Sequence, residues 1–252
     1  AYKFQGDSGE TRLHDILWSV SRTGTITPVG LVEPVQLSGA TVTRVSLHNY
    51  GLAKKMGITV PCKVLMVRRG GVIPNVEKVL EGRGKSLSAP KKCPSCGTAV
   101  ELRDDFLYCK NPKKCLVSKI GELDHFVKVV GMDGFGEKLL TKLYENGLVQ
   151  TPADFYRLQA VDMLHFERMG KVLAEKLVRQ VQSMRVLPLD LFLQALGIEG
   201  VGKQVAKLLA HHFGALEKIR ALKEQDLIDV HSIGEKVAHA ILPAGYDLSI
   251  AI

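Results

Sequence analysis

Four cysteines between residues 93 and 115 have the spacing of a metal site. Cys93 and Cys96 are separated by two residues, and Cys109 and Cys115 follow as a second pair separated by five. A tight turn within each pair directs two thiolates towards one point, and Gly97 suits the turn after the first pair. Four thiolates fill the tetrahedral shell of a structural Zn²⁺ and leave no position for water. The spacing predicts a structural zinc site; four unligated thiols or two disulfides are the alternatives.

Cysteine usage and net charge narrow the classes of protein to which the chain can belong. The fifth cysteine, Cys62, lies in a strand-like run and is predicted to be a small core residue. Clustering of the other four argues against a secreted disulfide framework and favours a reducing cytoplasm. Lys and Arg total 34 against 26 Asp and Glu, a formal charge of +8 that suits a polyanion such as nucleic acid. An ordinary solvated basic surface is the alternative.

Neither a membrane partner nor an export signal is expected from the sequence. No apolar run approaches the roughly 18 residues of a membrane span. The first ten residues, AYKFQGDSGE, lack the apolar region of a signal peptide, and the chain does not begin with Met. We therefore expect a cytoplasmic chain that is cut from a longer protein.

A glycine-centred pattern recurs four times in the second half of the sequence. Its glycine lies at positions 136, 170, 202 and 234, at intervals of 34, 32 and 32 residues. An apolar residue precedes each glycine, and further apolar residues three and seven positions later fall on one helical face. Each unit is predicted to be a helix, a tight glycine hairpin and a second helix, so an internal repeat sets this part of the fold.

Such hairpins have a chemistry of their own, since they leave bare N–H groups at the N-terminus of the second helix. These groups and the helix dipole attract phosphate oxygens. Four phosphate-seeking hairpins suit a polymer with regular phosphates, namely duplex DNA bound through its backbone. An ordinary glycine-bent turn is the alternative for any single unit. The candidate contact residues are Gly134, Gly136, Lys138, Gly170, Gly200, Gly202, Lys203 and Gly234.

The hairpins are not equivalent. Two have both glycines, at 134 and 136 and at 200 and 202, whereas Arg168 and Ser232 replace the first glycine in the other two. We expect the latter two hairpins to pack within the fold rather than to bind phosphate, although the Arg168 side chain could reach a phosphate itself. Residues 197–203 also match the glycine and lysine spacing of a nucleotide-binding loop. Gln204 follows instead of Ser or Thr, and the preceding stretch is helical, which argues against a nucleotide enzyme.

Three segments position these residues. Residues 1–84 contain short β-rich runs, such as those at 25–29, 40–45 and 63–67, and are predicted to form a small closed barrel. Residues 85–118 hold the end of a predicted linker, which spans 81–92, and the four cysteines. Residues 119–252 have short helical periods broken by glycine. The predicted fold class is multi-domain α and β, with a small β-barrel, a four-cysteine zinc finger and an all-α domain of tandem hairpins.

This combination resembles the C-terminal part of bacterial NAD⁺-dependent DNA ligases, and the glycine units resemble the helix-hairpin-helix motif. AYKF at residues 1–4 is similar to the end of the nucleotidyltransferase motif of that family. RTGTITPV at residues 22–29 and VIP at 72–74 are similar to its OB-fold, and GFGEK at 134–138 is similar to the segment after its zinc module. The resemblance covers nearly the whole chain and implies an OB-fold barrel over residues 1–84.

The resemblance also implies an activity for the parent protein. The family transfers AMP from NAD⁺ to a lysine, then to the 5′-phosphate at a nick, and then seals the nick, with Mg²⁺ as a further cofactor. It implies that Lys3 contacts the adenylate phosphate as a catalytic residue. It implies DNA contacts for Arg22, Arg44 and Arg68, with solvated barrel surface as the alternative. It implies minor-groove contacts for Val72 and Ile73, with barrel core as the alternative.

The sequence departs from the family pattern in several places. Gln5 and Gly71 replace residues that are usually Pro and Asp, and Ser118 stands in a stretch that is usually Pro-Ala-Gln. The adenylation domain, which binds most of the NAD⁺ and Mg²⁺, and the BRCT domain are expected to be missing. The chain alone is therefore expected to bind nicked double-stranded DNA as a nucleoid-associated monomer without adenylating itself. The rival hypothesis is a non-catalytic DNA-binding scaffold module of a repair protein.

Overall fold

A computed structural model of the chain describes residues 7–68, 74–230 and 233–241. The chain divides into two compact units, Ala1–Ser118 and Lys119–Ile252. The first unit contains the strands and the four cysteines, and the second contains the glycine hairpins. Within the described residues, no helix combines the length and the apolar character that crossing a membrane requires.

Five strands of the first unit close into a barrel. Ordered along the sheet they are β1, β4, β5, β3 and β2, and a further pairing of β1 with β2 closes the ring. Their neighbours are antiparallel except for β3 and β5, which meet in parallel at Ser46 and Asn75. The strands are β1 (Asp7–Val20), β2 (Thr25–Leu37), β3 (Ala40–Ser46), β4 (Thr59–Arg68) and β5 (Pro74–Ser86). The predicted small barrel is confirmed.

Alternation along the strands fills this barrel with apolar side chains. In β4, Cys62, Val64 and Met66 are buried, as a two-residue period requires for one inward face. Helix α1 (Tyr50–Lys55) begins after Asn49, whose side chain accepts a hydrogen bond from the N–H of Leu52 at 2.8 Å. Burial of Cys62 in this core is the position that the sequence predicts for it.

The segment predicted as a linker is largely a strand. Residues 81–86 continue β5 and pair with β4, from Lys63 opposite Glu81 to Thr59 opposite Ser86, with a register shift between Cys62 and Val60. The next residue, Leu87, is buried in the core of the barrel. The linker prediction is therefore wrong for residues 81–86, because the small and polar side chains of this run lie on an exposed strand and not in a flexible connection.

A second hairpin extends the sheet of the barrel and ends in one of the cysteines. It consists of β6 (Val100–Arg103) and β7 (Phe106–Cys109), and β7 pairs with β2 through Thr25 opposite Tyr108 and Ile26 opposite Leu107. Leu107 is 1% exposed and joins the core of the barrel. The four-cysteine segment thus shares a core with the barrel instead of building one of its own.

Short helices make up most of the remaining described chain. A 3-10 turn at Pro112–Lys114 precedes α2, and another at Pro152–Arg157 lies between α3 and α4. The helices are α2 (Leu116–Val130), α3 (Glu137–Glu145), α4 (Ala160–Met163), α5 (Lys171–Ser183), α6 (Leu189–Ala195), α7 (Lys203–Phe213), α8 (Leu216–Arg220), α9 (Glu224–Ile228) and α10 (Glu235–Ile241).

The second unit has two adjoining cores, each shared by two hairpins. Phe135 and Leu177 belong to the first core, which α2 to α5 build around the stacked rings of Phe126 and Phe155. Val201 and Ile233 belong to the second, which α6 to α10 build. The apolar residues between the two hairpin positions pack on these cores, since Phe135, Val201 and Ile233 are buried and Met169 is half-buried. The four-fold repeat in the sequence is therefore arranged as two pairs of hairpins.

Candidate metal centre and nucleic-acid interface

The four cysteines meet at one point. Cys93, Cys96, Cys109 and Cys115 have Sγ atoms that all lie within 4.8 Å of one another. The Sγ atoms of Cys96 and Cys109 are 3.5 Å apart, and those of Cys93 and Cys115 are 4.0 Å apart. All four are free thiols, which excludes the disulfide alternative for this structure. Sulfurs about 2.3 Å from a common metal ion in tetrahedral geometry have this spacing, so the cluster fits a four-thiolate structural site.

The surroundings of the thiols set how they ionise. A hydrogen bond from the Thr98 side chain is the main influence that lowers the pKa of Cys96 to about 6. Burial raises the pKa of Cys93, and it raises the pKa of Cys109 to about 12. Because a metal binds thiolates, a bound cation must displace protons from these two sulfurs. A closed shell of four sulfurs has no open position, so such a metal would hold the fold and would not bind substrate.

The cluster is anchored to the barrel through Gly24. The backbone N–H of Cys109 donates to the carbonyl of Gly24 at 2.8 Å. Gly24 has a φ of +79°, and a Cβ there would lie 2.8 Å from Cβ of Pro112, between the last two cysteines. The Ser118 hydroxyl, buried just after the final cysteine, donates to the carbonyl of Ser21 at 3.0 Å. The departure from the family pattern at Ser118 thus supplies a hydrogen bond to the β1–β2 turn.

A second anchor joins the tip of the cysteine hairpin to α1. The N–H of Gly51 donates to the carbonyl of Asp105 at 2.9 Å, and Lys55 Nζ lies 2.8 Å from Asp105 Oδ2. A Cβ on Gly51 would meet the Asp105 carboxylate, so the close approach of the two backbones requires glycine here. The barrel and the four-cysteine module are therefore joined by two separate sets of contacts, one at Gly24 and Ser118 and one at Gly51 and Lys55.

The same module presents a cluster of exposed lysines that the sequence analysis did not single out. Three of them lie in the run CKNPKKC between the last two cysteines of the cluster, a signal that is visible in the sequence. Positive side chains held on a rigid loop are suited to the phosphates of a nucleic acid. The exposed lysines of the module are Lys91, Lys92, Lys110, Lys113 and Lys114.

The second glycine of each hairpin has no internal reason to be glycine. Gly136, Gly170 and Gly202 cap the helices that follow them, with φ values of −74°, −83° and −81° that any residue adopts. A Cβ at any of these, or at Gly234, would meet nothing within 4 Å among the described residues. Neither backbone strain nor packing within the described chain explains the glycine. The open space leaves the N–H groups of the helix N-terminus accessible, and such groups are suited to an anion.

The first glycine of a hairpin, in contrast, serves the fold. Gly134 and Gly200 have φ values of +90° and +79°, which L side chains rarely adopt. A Cβ on Gly134 would lie 2.8 Å from Leu177 Cδ2, and one on Gly200 would lie 3.3 Å from Val237 Cγ2. Gly134 therefore lets the first hairpin approach α5 of the second, and Gly200 lets the third hairpin approach α10 of the fourth.

Arg168 takes the place of the first glycine in the second hairpin and keeps its geometry. Its φ is +64°, close to the values at Gly134 and Gly200. Its side chain is 90% exposed, and that of Lys171, the first residue of α5, is 80% exposed. Arg168 thus keeps the left-handed turn without glycine, and whether this hairpin binds phosphate stays a prediction. The corresponding Ser232 lies outside the described residues.

The remaining predicted site residues are spread over the two units or lie outside the described residues. Arg22 is half-buried in the turn between β1 and β2, Arg44 is exposed on β3, and Arg68 is half-buried at the end of β4. The exposed lysines that are predicted to contact phosphate are Lys138 on α3 and Lys203 at the start of α7. Lys3, Val72 and Ile73 lie outside the described residues.

Comparison with known proteins agrees with both units. The NAD-dependent DNA ligase OB-fold domain matches residues 10–87, and the helix-hairpin-helix motif matches residues 191–243. The chain is 39% identical over 250 residues to the DNA ligase of Bacillus subtilis (strain 168), covering 96% of this chain and 37% of that protein. It is 34% identical over 249 residues to the DNA ligase of Caldicellulosiruptor bescii, with the same coverage of each. The DNA ligase of Trichlorobacter lovleyi is 38% identical over 249 residues, 96% of this chain and 36% of that protein.

The chain thus spans little more than a third of the length of these relatives. Its closed barrel, its cluster of four thiols and its paired glycine hairpins are the parts on which sequence and structure agree. This chain belongs to the family of bacterial NAD-dependent DNA ligases, and it contains the OB-fold of that family and a helix-hairpin-helix motif.

Proposed function

We propose that this chain is the DNA-binding part of an NAD⁺-dependent DNA ligase, and that the parent protein seals nicks in duplex DNA through an AMP–DNA intermediate. The observation that carries the proposal is the set of second glycines in the hairpins. Gly136, Gly170 and Gly202 have ordinary φ values and open space at the Cβ position, and each precedes exposed helix N–H groups. An external phosphate accounts for a glycine that the fold does not require.

The partner is double-stranded DNA recognised through its backbone. Repeated N–H groups and exposed lysines such as Lys138 and Lys203 contact phosphates, which carry no sequence information. The formal charge of +8 supports the same partner. The names of the relatives, all DNA ligases, support a parent that is itself a DNA ligase. In this proposal the parent acts on nicks, in the cytoplasm and at the nucleoid. The chain binds as a monomer in this proposal.

The thiol cluster holds Zn²⁺ as a structural ion in this proposal. Four sulfurs suit a soft, tetrahedral site, and Mg²⁺, which takes oxygen ligands, does not fit it. The NAD⁺ and Mg²⁺ of the reaction are bound mainly by an adenylation domain. Lys3, by resemblance, contributes a positive charge near the adenylate phosphate. Arg22, Arg44 and Arg68 and, by resemblance, Val72 and Ile73 contact the DNA from the barrel side.

Two measurements test the proposal separately. Fluorescence anisotropy with a labelled nicked duplex should show a binding constant whose logarithm falls linearly with the logarithm of the salt concentration. The reason is that lysines and N–H groups displace counterions from phosphates. A single strand of the same sequence is the control and should bind more weakly. Binding that is independent of salt, or that is equal for the single strand, contradicts a backbone-reading duplex binder.

The ligase half of the proposal is tested by adding the isolated adenylation domain of a bacterial NAD⁺-dependent DNA ligase in trans. The chain alone should not become adenylated by NAD⁺, whereas the mixture should seal a nicked duplex faster than the adenylation domain alone. Binding of DNA without any gain in sealing would favour the rival scaffold hypothesis.

A further inference from the structure

The helical unit has an apolar groove that none of the described hairpin residues lines. It has a volume of about 690 Å³, and its walls come from α2, the 3-10 turn at Pro152–Arg157, the segment before α6, α6 itself and the start of α8. Phe126, from the first core, and Leu216, which packs on the second, both line it. The groove therefore lies where the two cores of the unit adjoin.

One wall of the groove leaves an apolar side chain in water. Val186 is 92% exposed, the largest exposed fraction among the large apolar side chains of the described residues. Its neighbour Leu187 packs against the first core, so the segment is held in place while Val186 points away from that core. Tyr156 secures the same wall, since its hydroxyl donates to the carbonyl of Met184 at 3.1 Å. A fixed segment that exposes an apolar side chain beside a groove is typical of an interaction surface.

The charges that line the groove are positive. Arg157 and Arg185 contribute to the lining, both are exposed, and no acidic residue is found among the described residues that line the groove. Arg157 Nη1 lies 3.3 Å from Asp154 Oδ1. The other carboxylate oxygen of Asp154 accepts hydrogen bonds from the backbone N–H of Thr151 at 2.8 Å and from that of Gln150 at 3.0 Å. Guanidinium groups beside an apolar groove complement a ligand with both apolar and carboxylate groups.

The shape of the groove distinguishes a peptide from a small molecule. Small-molecule sites bury most of the ligand surface, whereas here a lining residue, Val186, is almost fully exposed. Duplex DNA matches the arginines but not the apolar lining made by Phe192, Leu189 and Leu216. A segment of a partner protein that inserts an apolar side chain between carboxylates matches both.

We propose that this groove docks an acidic segment of a partner protein, with an aromatic or aliphatic side chain against the half-buried Phe192 and Leu216 and carboxylates on Arg157 and Arg185. The occupant spans the junction of the two cores without using the glycine hairpins. This inference is independent of the proposed DNA binding, because none of the described residues that line the groove belongs to a hairpin.

The probe for the test is a short fluorescein-labelled peptide in which a Leu-Phe pair is flanked on each side by Asp residues. Its control peptide has Lys in place of every Asp. The full 252-residue chain should bind the acidic peptide in an anisotropy titration and bind the control at least about tenfold more weakly. A saturating duplex DNA should not displace the peptide if the two sites are separate.

Two variants locate the binding. Val186→Asp should lower the affinity for the acidic peptide about tenfold, since it places a carboxylate at the apolar rim. Val161→Asp is the matched control, because Val161 is 63% exposed on α4 and does not line the groove, and it should leave peptide binding unchanged. Both variants should keep the thermal stability and the DNA affinity of the parent chain.

Three results would overturn the docking proposal. The first is the absence of binding by either peptide, and the second is an equal loss in the two variants. The third is displacement of the peptide by DNA together with a loss of DNA affinity in Val186→Asp, which would assign the groove to nucleic acid. None of these results bears on the salt-dependent DNA binding of the unmodified chain, so failure of the docking proposal is distinguishable from failure of the proposed function.

Discussion

The four-cysteine module and the glycine hairpins both depend on glycines, but for opposite reasons. Where the module packs on the barrel, Gly24 and Gly51 of the barrel are required from inside, because a side chain there would collide with Pro112 or Asp105 of the module. In the hairpins, Gly136 and Gly202 are surrounded by open space and have ordinary backbone angles. The first class keeps the chain folded, and the second keeps a surface free for a partner. Stability and DNA affinity should therefore respond to different substitutions.

The largest expected effect is the loss of a metal ligand. Cys109→Ala should remove the bound Zn²⁺ and lower the free energy of unfolding of the first unit by about 4 kcal/mol or more, because the metal supplies folding energy. Elemental analysis and thermal unfolding measure both. Cys62→Ala is the control, since Cys62 is buried in the barrel away from the cluster. A Cys109→Ala chain with native metal content and stability would remove this residue from the site.

Gly24→Ala tests a glycine that the fold itself requires. The new Cβ would lie 2.8 Å from Pro112 at a φ of +79°, so we expect a loss of about 2 kcal/mol in the free energy of unfolding. Zinc should remain bound at about one ion per chain. The check is chemical denaturation together with elemental analysis. Unchanged stability would mean that the module is not anchored to the barrel through this turn.

Gly202→Asp tests a hairpin glycine that the fold does not require. Asp is a better helix N-cap than Gly, so stability should stay equal or rise, while its carboxylate occupies the space and repels phosphate. We expect DNA affinity to fall about tenfold and the salt slope to fall by about one. Anisotropy titrations at several salt concentrations measure both quantities.

The matched control for this prediction is Ala215→Asp. Ala215 is the N-cap of α8 in the same unit but not in a hairpin, so the substitution adds the same charge and the same cap. It should change DNA affinity much less. Equal losses of DNA affinity in the two variants would mean that the effect of Gly202→Asp comes from net charge and not from the hairpin. Gly234→Asp should have a smaller effect than Gly202→Asp, because Glu235 follows Gly234 whereas Lys203 follows Gly202.

The smallest expected effect concerns Arg168. Arg168→Gly should leave stability equal or slightly higher, since glycine adopts a φ of +64° without strain, and should weaken DNA binding about threefold through the lost charge. Arg168→Lys keeps the charge and should keep the affinity. If both variants bind like the parent chain, the second hairpin keeps its backbone shape but does not contact phosphate.

The sequence predicted features that depend on local spacing. The metal ligands follow from two close cysteine pairs, and the hairpins follow from a repeat of 32 to 34 residues. The boundaries of 1–84, 85–118 and 119–252 and the DNA contacts of the three arginines stay predictions. The division into compact units at Ser118 shows only that the cysteine segment and the barrel form one body.

What the sequence did not predict depends on contacts between distant residues. The linker at 81–92 was inferred from glycines and small polar residues. In the structure, Gly84 lies in β5 so close to β4 that a Cβ would collide with the carbonyl group of Val60. A glycine that is required by a neighbouring strand cannot be distinguished from a flexible one in the sequence. The left-handed backbone of Arg168 was missed for a related reason, since its exposed side chain gives no signal of the turn that holds it.

The pairing of β2 with β7 also has a consequence for how the chain is made. Ile26 and Leu107 pack in one core although β3, α1, β4, β5 and β6 lie between their strands in the chain. During synthesis, the barrel therefore cannot complete its core until the ribosome has released the cysteine hairpin that follows it. Contacts of such long range slow folding. The nascent barrel must wait for its last strand, which ends at Cys109, so the core of the barrel and the four-cysteine cluster are completed late and together.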